Sequence, residues 1–217
     1  TCLASRKPVY IEVPCNLAGR MVPAPRKRTF ARKTRSHEET LSEAVDRTVE
    51  LLSGAAKPVL VAGGRLKSFG AVEAFMKLAD ASKYAAASMP VAKGIIPESH
   101  PHYIGTYWGP VSSPCTAEIV ESANMYLFAG AVFTDYTTCG YSALINPSRL
   151  IHAGPGFVKL PDAIYDGIEL SEFLEELSRK IKPNDASLVA YERIKIEPAP
   201  SHPPVAAAPI TTRRLFE

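Results

Sequence analysis

The sequence lacks several features that would assign it to a class at once. It has no apolar run close to the roughly 20 residues needed to span a bilayer, so we expect no membrane association. It contains no GxxxxGK[ST] segment, which excludes a P-loop, and no GxSxG nucleophile elbow. It has no secretory signal pattern and begins with threonine, so we expect a cytoplasmic protein whose numbered chain begins inside a longer polypeptide.

The cysteines form neither a CxxC pair nor a spacing typical of a metal site. There are four of them, Cys2, Cys15, Cys115 and Cys139. We expect reduced thiols in an intracellular protein, although an even number leaves two disulfides as the alternative.

The composition is that of an ordinary globular chain. With 217 residues, 46% hydrophobic and 22% charged, it is long enough for one good core, and collagen-like, coiled-coil and wholly disordered classes are excluded. The net charge of +3 hides a basic segment, because residues 26–35 carry six basic side chains and no acid. The remainder therefore carries 3 − 6 = −3. This segment is either a contact for an acidic partner or a solvated interdomain linker; we favour the linker and expect no nucleic acid partner.

The first forty residues change character twice. Residues 9–13 (VYIEV) are β-branched and alternating, which predicts a strand. Residues up to about 39 are rich in proline, arginine and lysine, which predicts a linker. A helix is predicted to begin at Thr40, with Glu43 completing a capping box, and to end at Gly54.

Beyond Gly54, strands and helices alternate. Buried strands are predicted at 59–62, 84–88, 125–129 and 150–153, with an irregular segment over 89–112. Helices are predicted from Ser68, from Ser113-Pro114, and from an N-cap at Ser171 to a stop at Pro183. The pattern predicts an α/β fold: a doubly wound, mostly parallel, Rossmann-like sheet with helices on both faces over 40–184. Residues 185–217 return to linker character, with a possible helix start at 211–212.

Four features are candidates for chemistry, and each has a structural alternative. Gly63-Gly64 lacks the GxGxxG pattern, so it either brings amides toward a phosphate or, as we favour, makes a tight turn. The segment 98–102 holds Glu98, His100 and His102, but Pro101 separates the imidazoles and no third ligand lies at a regular repeat, so we favour a structured surface loop over a metal site.

The other two features are aromatic. Residues 103–109 hold the only tryptophan and are typical of a packed loop or interface patch, since no basic residues interleave them as in a base-stacking platform. Asp135-Tyr136 follows a strand, where α/β sheets place functional side chains, and a loop-capping role is the favoured alternative. The residues alone thus show no complete catalytic set.

Five long stretches in order resemble a known family. They are KPVYIEVPCNLAG (7–19), KPVLVAGGRLKSFGAVEAFMKLADAS (57–82), MPVAKGIIPESHPHYIGTYWGPVS (89–112), AEIVESANMYLFAGAVFTDYTTCGYS (117–142) and YERI (191–194). Together they resemble the thiamine-diphosphate-dependent 2-oxo acid decarboxylases, most closely those of the plant pyruvate decarboxylase type. The similarity covers nearly the whole chain.

The resemblance implies a three-domain enzyme, of which this chain holds the middle. Residues 1–20 would be the C-terminal end of the pyrimidine-binding domain, 21–39 a basic linker, 40–184 the central domain, and 185–217 a proline-rich linker into the diphosphate-binding domain. The linker at 26–35 is more basic than the family pattern. The cofactors would be thiamine diphosphate and Mg²⁺ in the full-length enzyme, with none expected on this chain. No GDG motif occurs here, and no catalytic, cofactor-binding or metal-binding residue is carried over.

The resemblance also implies a function for the parent protein, the decarboxylation of pyruvate to acetaldehyde and CO₂. Its partners would be the remaining domains and further copies, in a dimer or tetramer. The alternative is a decarboxylase-derived domain serving as a structural subunit of a larger assembly. A third possibility is an independent flavin- or nucleotide-binding protein.

Overall fold

The computed structural model describes residues 2, 7–24, 35–196 and 211–212. Its strands are β1 (Pro58–Ala62), β2 (Ala85–Ser88), β3 (Tyr103–Thr106), β4 (Met125–Ala129), β5 (Leu150–Gly154), β6 (Gly156–Lys159) and β7 (Ile164–Ile168). Its helices are α1 (Cys15–Ala18), α2 (Glu38–Ser53), α3 (Arg65–Ser68), α4 (Val72–Ser82), α5 (Thr116–Ser122), α6 (Leu170–Lys180) and α7 (Ala186–Ile194). Short 3₁₀ turns lie at Pro90–Ala92 and Pro147–Arg149.

All seven strands form one sheet in the order β3-β2-β1-β4-β5-β6-β7. The first five in this order pair in parallel, and β5-β6-β7 form an antiparallel extension at one edge. The predicted fold class, a doubly wound and mostly parallel sheet covered by helices, is confirmed. The antiparallel β6 and β7 were not predicted, because each is short and has only one buried residue, Val158 in β6 and Ile168 in β7.

The central strands are buried because they are apolar on both faces. Every residue of β1 is buried, as is every residue of β2 and all of β4 except its first residue. Helices cover them in two groups: α6 contacts α2 and α4, while α5 contacts α7. Among the described residues, no helix is both long and apolar enough to cross a bilayer.

The strand predicted at residues 9–13 is wrong for this structure. Residues 8–14 have no regular secondary structure and are exposed, and the seven-stranded sheet does not include them. A strand requires a hydrogen-bonded neighbour, and the described part of the chain supplies none to this segment. The short helix α1 follows directly.

Two helix starts differ from the predicted ones. Helix α2 begins at Glu38 rather than Thr40, with His37 before it, and it ends at Gly54 as predicted. Its predicted capping box is absent, since the Thr40 hydroxyl contacts Nδ1 of His37 at 3.1 Å. In α6 the N-cap is Glu169 rather than Ser171, because the Glu169 carboxylate accepts hydrogen bonds from the amides of Ser171 and Glu172.

The middle of the chain also departs from prediction. The helix expected from Ser68 is divided into α3 and α4, and α5 begins at Thr116, after Cys115 in the left-handed region, rather than at Pro114. The segment 89–112, predicted to be irregular, contains β3. The edge strand on this side of the sheet is therefore β3, and not the strand predicted at 84–88.

The linker predicted after residue 185 begins with an additional helix, α7. It packs on the sheet, where the buried Ser187 hydroxyl accepts a hydrogen bond from the Ala85 amide at 3.0 Å. Of the basic segment 26–35, only Arg35 lies within the described residues, and the possible helix start at 211–212 lies at their edge.

Candidate functional site

The strand order reverses between β1 and β4. From β1 the chain moves outward to β2 and β3, and it then returns to β4 on the other side of β1. Doubly wound sheets bind ligands at such a switch point, outside the carboxyl ends of the strands. The residues that follow β1 and β4, beginning with Gly63 and Gly130, therefore form the first site to consider.

Direct backbone contact closes this switch point. The Gly63 amide donates to the Ala129 carbonyl at 2.8 Å, and the Arg65 amide donates to the Gly130 carbonyl at 3.0 Å. A Cβ atom on Gly63 would lie 2.3 Å from the Gly130 carbonyl carbon, and one on Gly130 would lie 2.7 Å from the Leu66 amide nitrogen. The glycines allow the two connections to touch.

Three backbone amides after β1 donate to carbonyl groups of the protein. The Leu66 amide donates to the Gly63 carbonyl at 3.2 Å, so the amides of Gly63, Arg65 and Leu66 all have partners within the protein. Helix α3, which follows, has only four residues. The geometry supports the tight-turn interpretation of Gly63-Gly64.

A chain of ring contacts lies behind the switch point. Phe128 on β4 contacts Phe133 at a centroid distance of 5.3 Å, and His152 on β5 lies between Phe133 and Phe157 at 5.1 Å from each. The sequence analysis did not identify His152. A signal was present, since β5 is otherwise apolar (LIHAG).

The environment of His152 favours its neutral form. Burial lowers its pKa, a hydrogen bond to the Ala131 carbonyl opposes this effect, and the charges of Lys159 and Arg65 lower the pKa further. Nε2 of His152 lies 3.2 Å from the Ala131 carbonyl oxygen, so the imidazole fixes the connection that follows β4.

Asp135-Tyr136 has the contacts of a loop cap. The Asp135 carboxylate accepts a hydrogen bond from the Tyr136 amide at 2.8 Å. The Tyr136 carbonyl accepts one from Nε1 of Trp108 at 2.5 Å, and the Tyr136 and Trp108 rings lie 5.2 Å apart. These contacts join the aromatic segment after β3 to the loop after β4.

The aromatic run at 103–109 is partly core and partly surface. Tyr107 is buried, and its hydroxyl donates to Glu121 at 2.9 Å. Burial is the main cause that raises the Tyr107 pKa, and the nearby Glu121 carboxylate adds to it. The same Glu121 oxygen accepts the Leu144 amide at 3.0 Å. The surface nearby exposes large apolar side chains, namely Val111, Tyr136, Tyr141 and Leu144.

The two histidines of segment 98–102 do meet a third potential ligand. It is Asp80, in the last turn of α4, and one ligand atom from each of Asp80, His100 and His102 lies within 4.8 Å of the others. We call these three residues the His–Asp cluster. Sequence spacing missed Asp80 because it lies 20 residues before His100 and on another element. Glu98 instead forms an ion pair with Lys93.

The cysteines take no part in these sites. All four are free in this structure. Cys115 donates its Sγ hydrogen to the Ile194 carbonyl at 3.0 Å, a contact between the start of α5 and the end of α7.

Strand order defines the class of protein: a Rossmann-type, doubly wound α/β domain. The family described as "Thiamine pyrophosphate enzyme, central domain" matches residues 45–170, more than half of the chain. The chain belongs to this family.

Plant relatives are similar over most of the chain. Pyruvate decarboxylase 4 of Arabidopsis thaliana is 45% identical over 203 residues, which cover 89% of this chain and 33% of the relative. Pyruvate decarboxylase 2 of Oryza sativa subsp. japonica is 44% identical over 94% of this chain and 35% of the relative. Pyruvate decarboxylase 2 of Pisum sativum is 40% identical over 97% and 53%. The chain thus spans about a third of the length of the first two relatives.

Proposed function

We propose that this chain is the central region of a longer cytoplasmic pyruvate decarboxylase, which converts pyruvate to acetaldehyde and CO₂. The observation that carries the proposal is the 45% identity over 89% of the chain to a protein of that name. The substrate class follows from this relative and from the family.

The central domain has a structural role in this proposal. Thiamine diphosphate, when bound, supplies the electron sink for decarboxylation, and the protein must anchor its diphosphate and exchange protons with its ring. The close approach of Gly63 and Gly130 at the switch point supports this role. We therefore place the thiamine diphosphate and Mg²⁺ sites in the remaining domains, with none on residues 40–184.

The segment before α2 supports the proposed domain boundaries. Residues 8–14 lie outside the sheet, and the side chains of Tyr10, Ile11 and Val13 are 86%, 78% and 60% exposed. Apolar side chains of this size are costly to leave in water. We infer that this segment completes the sheet of a preceding pyrimidine-binding domain that ends near residue 20. Residues 21–39 and 185–217 are the proposed connections on either side of the central domain.

The exposed apolar side chains near Trp108 support a further part of the proposal. Val111, Tyr136, Tyr141 and Leu144 are between 55% and 72% exposed, on connections joined by the Trp108–Tyr136 contact. Such a patch is typical of an interaction surface. We propose that it packs against the other domains or against a second copy in a dimer or tetramer.

Calorimetry on the 217-residue chain tests the domain assignment. Titration with thiamine diphosphate in the presence of Mg²⁺ should give no binding heat, because the proposed cofactor sites lie elsewhere. Saturable, Mg²⁺-dependent binding at micromolar concentration would contradict the structural role of this domain.

The activity is tested on the native protein. Its intact mass should exceed 23.5 kDa two- to three-fold, since the chain covers about a third of its relatives. The purified protein should release acetaldehyde from pyruvate. The acetaldehyde is measured by its reduction in a coupled enzyme assay. A native product close to 23.5 kDa without this activity would instead favour the structural-subunit alternative.

A further inference from the structure

We propose that the His–Asp cluster binds one divalent transition metal ion, with Zn²⁺ as the probe. Two imidazoles and a carboxylate are the nitrogen and oxygen donors that such ions prefer, and three protein ligands leave one position open. The cluster lies at the corner between α4 and β3, separate from the switch point. The proposal does not depend on the function of the parent enzyme.

Backbone hydrogen bonds hold the two imidazoles beside each other. The His100 amide donates to the Pro97 carbonyl at 2.9 Å, and the His102 carbonyl accepts from the Ala86 amide of β2 at 2.8 Å. The two rings meet edge to face at 5.2 Å. Their positions are therefore set by the sheet and by the turn at Pro101.

The hydrogen bonds of His102 prepare it as a ligand. Its Nδ1 lies 3.0 Å from the Ala79 carbonyl oxygen, so Nδ1 donates and Nε2 keeps a free lone pair. A backbone carbonyl that orients a ligand imidazole in this way is the common outer-shell arrangement at metal sites. The Ala79 carbonyl thus fixes both the tautomer and the direction of the ring.

His100 changes its proton position when the metal binds. Its Nδ1 accepts the His102 amide at 3.2 Å, so the proton of the neutral ring lies on Nε2 and is donated to Asp80 at 3.0 Å. A metal ion at Nε2 requires this proton to move to Nδ1. The 3.2 Å hydrogen bond from the His102 amide to Nδ1 of His100 is then lost. The metal ion takes the place of the proton between Nε2 of His100 and the Asp80 carboxylate.

The location favours a cation. Ala79 and Asp80 lie in the last turn of the 11-residue helix α4, where the carbonyl groups concentrate partial negative charge. Tetrahedral Zn²⁺ places its ligand atoms about 3.4 Å apart, given metal–ligand distances of about 2.0–2.2 Å. One ligand atom of each residue lies within 4.8 Å of the other two, and the Asp80 side chain is 67% exposed.

Zinc calorimetry on the full 217-residue chain tests the site, with the cysteine thiols alkylated in every sample because thiolates also bind zinc. We expect one Zn²⁺ per chain at micromolar affinity. Asp80→Asn and His102→Gln should each weaken binding at least about tenfold. His37→Gln, which replaces an exposed histidine outside the cluster, should bind like the parent chain. Mg²⁺ should give no heat, since it prefers oxygen ligands.

Two results would overturn the site. One is Zn²⁺ affinity that Asp80→Asn and His102→Gln leave unchanged, and the other is the absence of zinc binding below millimolar concentration. Circular dichroism shows whether each variant is folded, and Asp80 is exposed enough for Asn to be tolerated. As a second readout, Zn²⁺ should shift the imidazole NMR signals of His100 and His102 and leave those of His152 in place.

Discussion

Backbone amide and carbonyl groups have opposite roles at the switch point and at the His–Asp cluster. At the switch point, Gly63 and Gly130 bring two connections into contact, and the amides that a phosphate would need are bonded to carbonyls. At the His–Asp cluster, a carbonyl at the end of α4 orients an imidazole whose other nitrogen is free. The first arrangement closes a site, and the second prepares one.

This contrast separates the fold from the location of its chemistry. Doubly wound sheets place ligands at the switch point as a rule. In this chain two backbone connections meet at that position, and the imidazoles and carboxylate gather at the sheet edge next to β3. Fold class alone would therefore direct a search for a ligand to the switch point and not to this cluster.

The largest effect is expected from Gly63→Ala, which would force apart the two connections that meet at the switch point. The new Cβ would lie 2.3 Å from backbone atoms of Gly130 and Ala131, which have no room to move. We expect the free energy of unfolding, measured in urea, to fall by about 3 kcal/mol or more. Gly19→Ala is the control, because no heavy atom lies within 4 Å of that position, and it should change stability by less than about 0.5 kcal/mol. Equal stabilities of the two variants would show that the switch point is loosely packed.

A second substitution tests the polar support beside the switch point. Glu121→Ala removes the acceptor of both the buried Tyr107 hydroxyl and the Leu144 amide. Since the Tyr107 hydroxyl is then left without its partner, we expect a loss of about 1–3 kcal/mol in urea unfolding. Glu118→Ala, on the exposed side of α5, is the matched control and should change stability by less than about 0.5 kcal/mol. A neutral Glu121→Ala would mean that water replaces the carboxylate.

The pH dependence of stability sharpens the contrast between the buried and the surface histidines. The pKa of His152 is lowered in the folded protein from its ordinary value of 6.5. As the pH falls below 6.5, the unfolded chain therefore binds the proton first, and stability falls until the folded-state pKa is reached. One such group contributes at most about 1.4 kcal/mol per pH unit.

His152→Gln removes this titration while keeping a donor for the Ala131 carbonyl. Between pH 7 and pH 5.5 the variant should lose less stability than the parent chain, as measured by urea unfolding at each pH. Unfolding at pH 8 is the reference, because the imidazole is neutral in both states there. Parallel pH profiles for the two proteins would contradict the assignment to His152.

The smallest expected effect is at the His–Asp cluster itself. In the absence of metal, Asp80→Asn should change the free energy of unfolding by less than about 1 kcal/mol, because the Asp80 side chain is 67% exposed to solvent. Thermal unfolding with EDTA measures the stability change of the variant without metal. Thermal unfolding with Zn²⁺ tests metal binding, since Zn²⁺ should raise the unfolding midpoint of the parent chain only. A loss above about 2 kcal/mol with EDTA would make Asp80 a structural anchor of the corner.

Local sequence was a good guide where burial alone decides the structure. The strands β1, β4 and β5 were predicted within one residue because their apolar runs are short, continuous and bounded by turns. Strand β3 was missed because only Ile104 within it is buried and Gly105 has a φ of +126°. Helix α7 was missed because the proline-rich residues after it gave the whole segment linker character.

The sites were less predictable than the fold. Gly63-Gly64 and the histidines at 100 and 102 were identified from sequence, but in each case the deciding partner is distant in the chain. For Gly63-Gly64 this partner is Gly130, whose contact with Gly63 is seen only in the structure. For the two histidines it is Asp80, whose carboxylate lies near both imidazoles.

The sequence by itself determined the alternation of buried strands and amphipathic helices, the family, and the residue types available for chemistry. These properties depend on hydrophobic period and on composition, which are local. Only the tertiary structure decided which of those residues meet. It brings the ends of β1 and β4 into contact, and it carries the last turn of α4 to the loop before β3, where the polar groups converge.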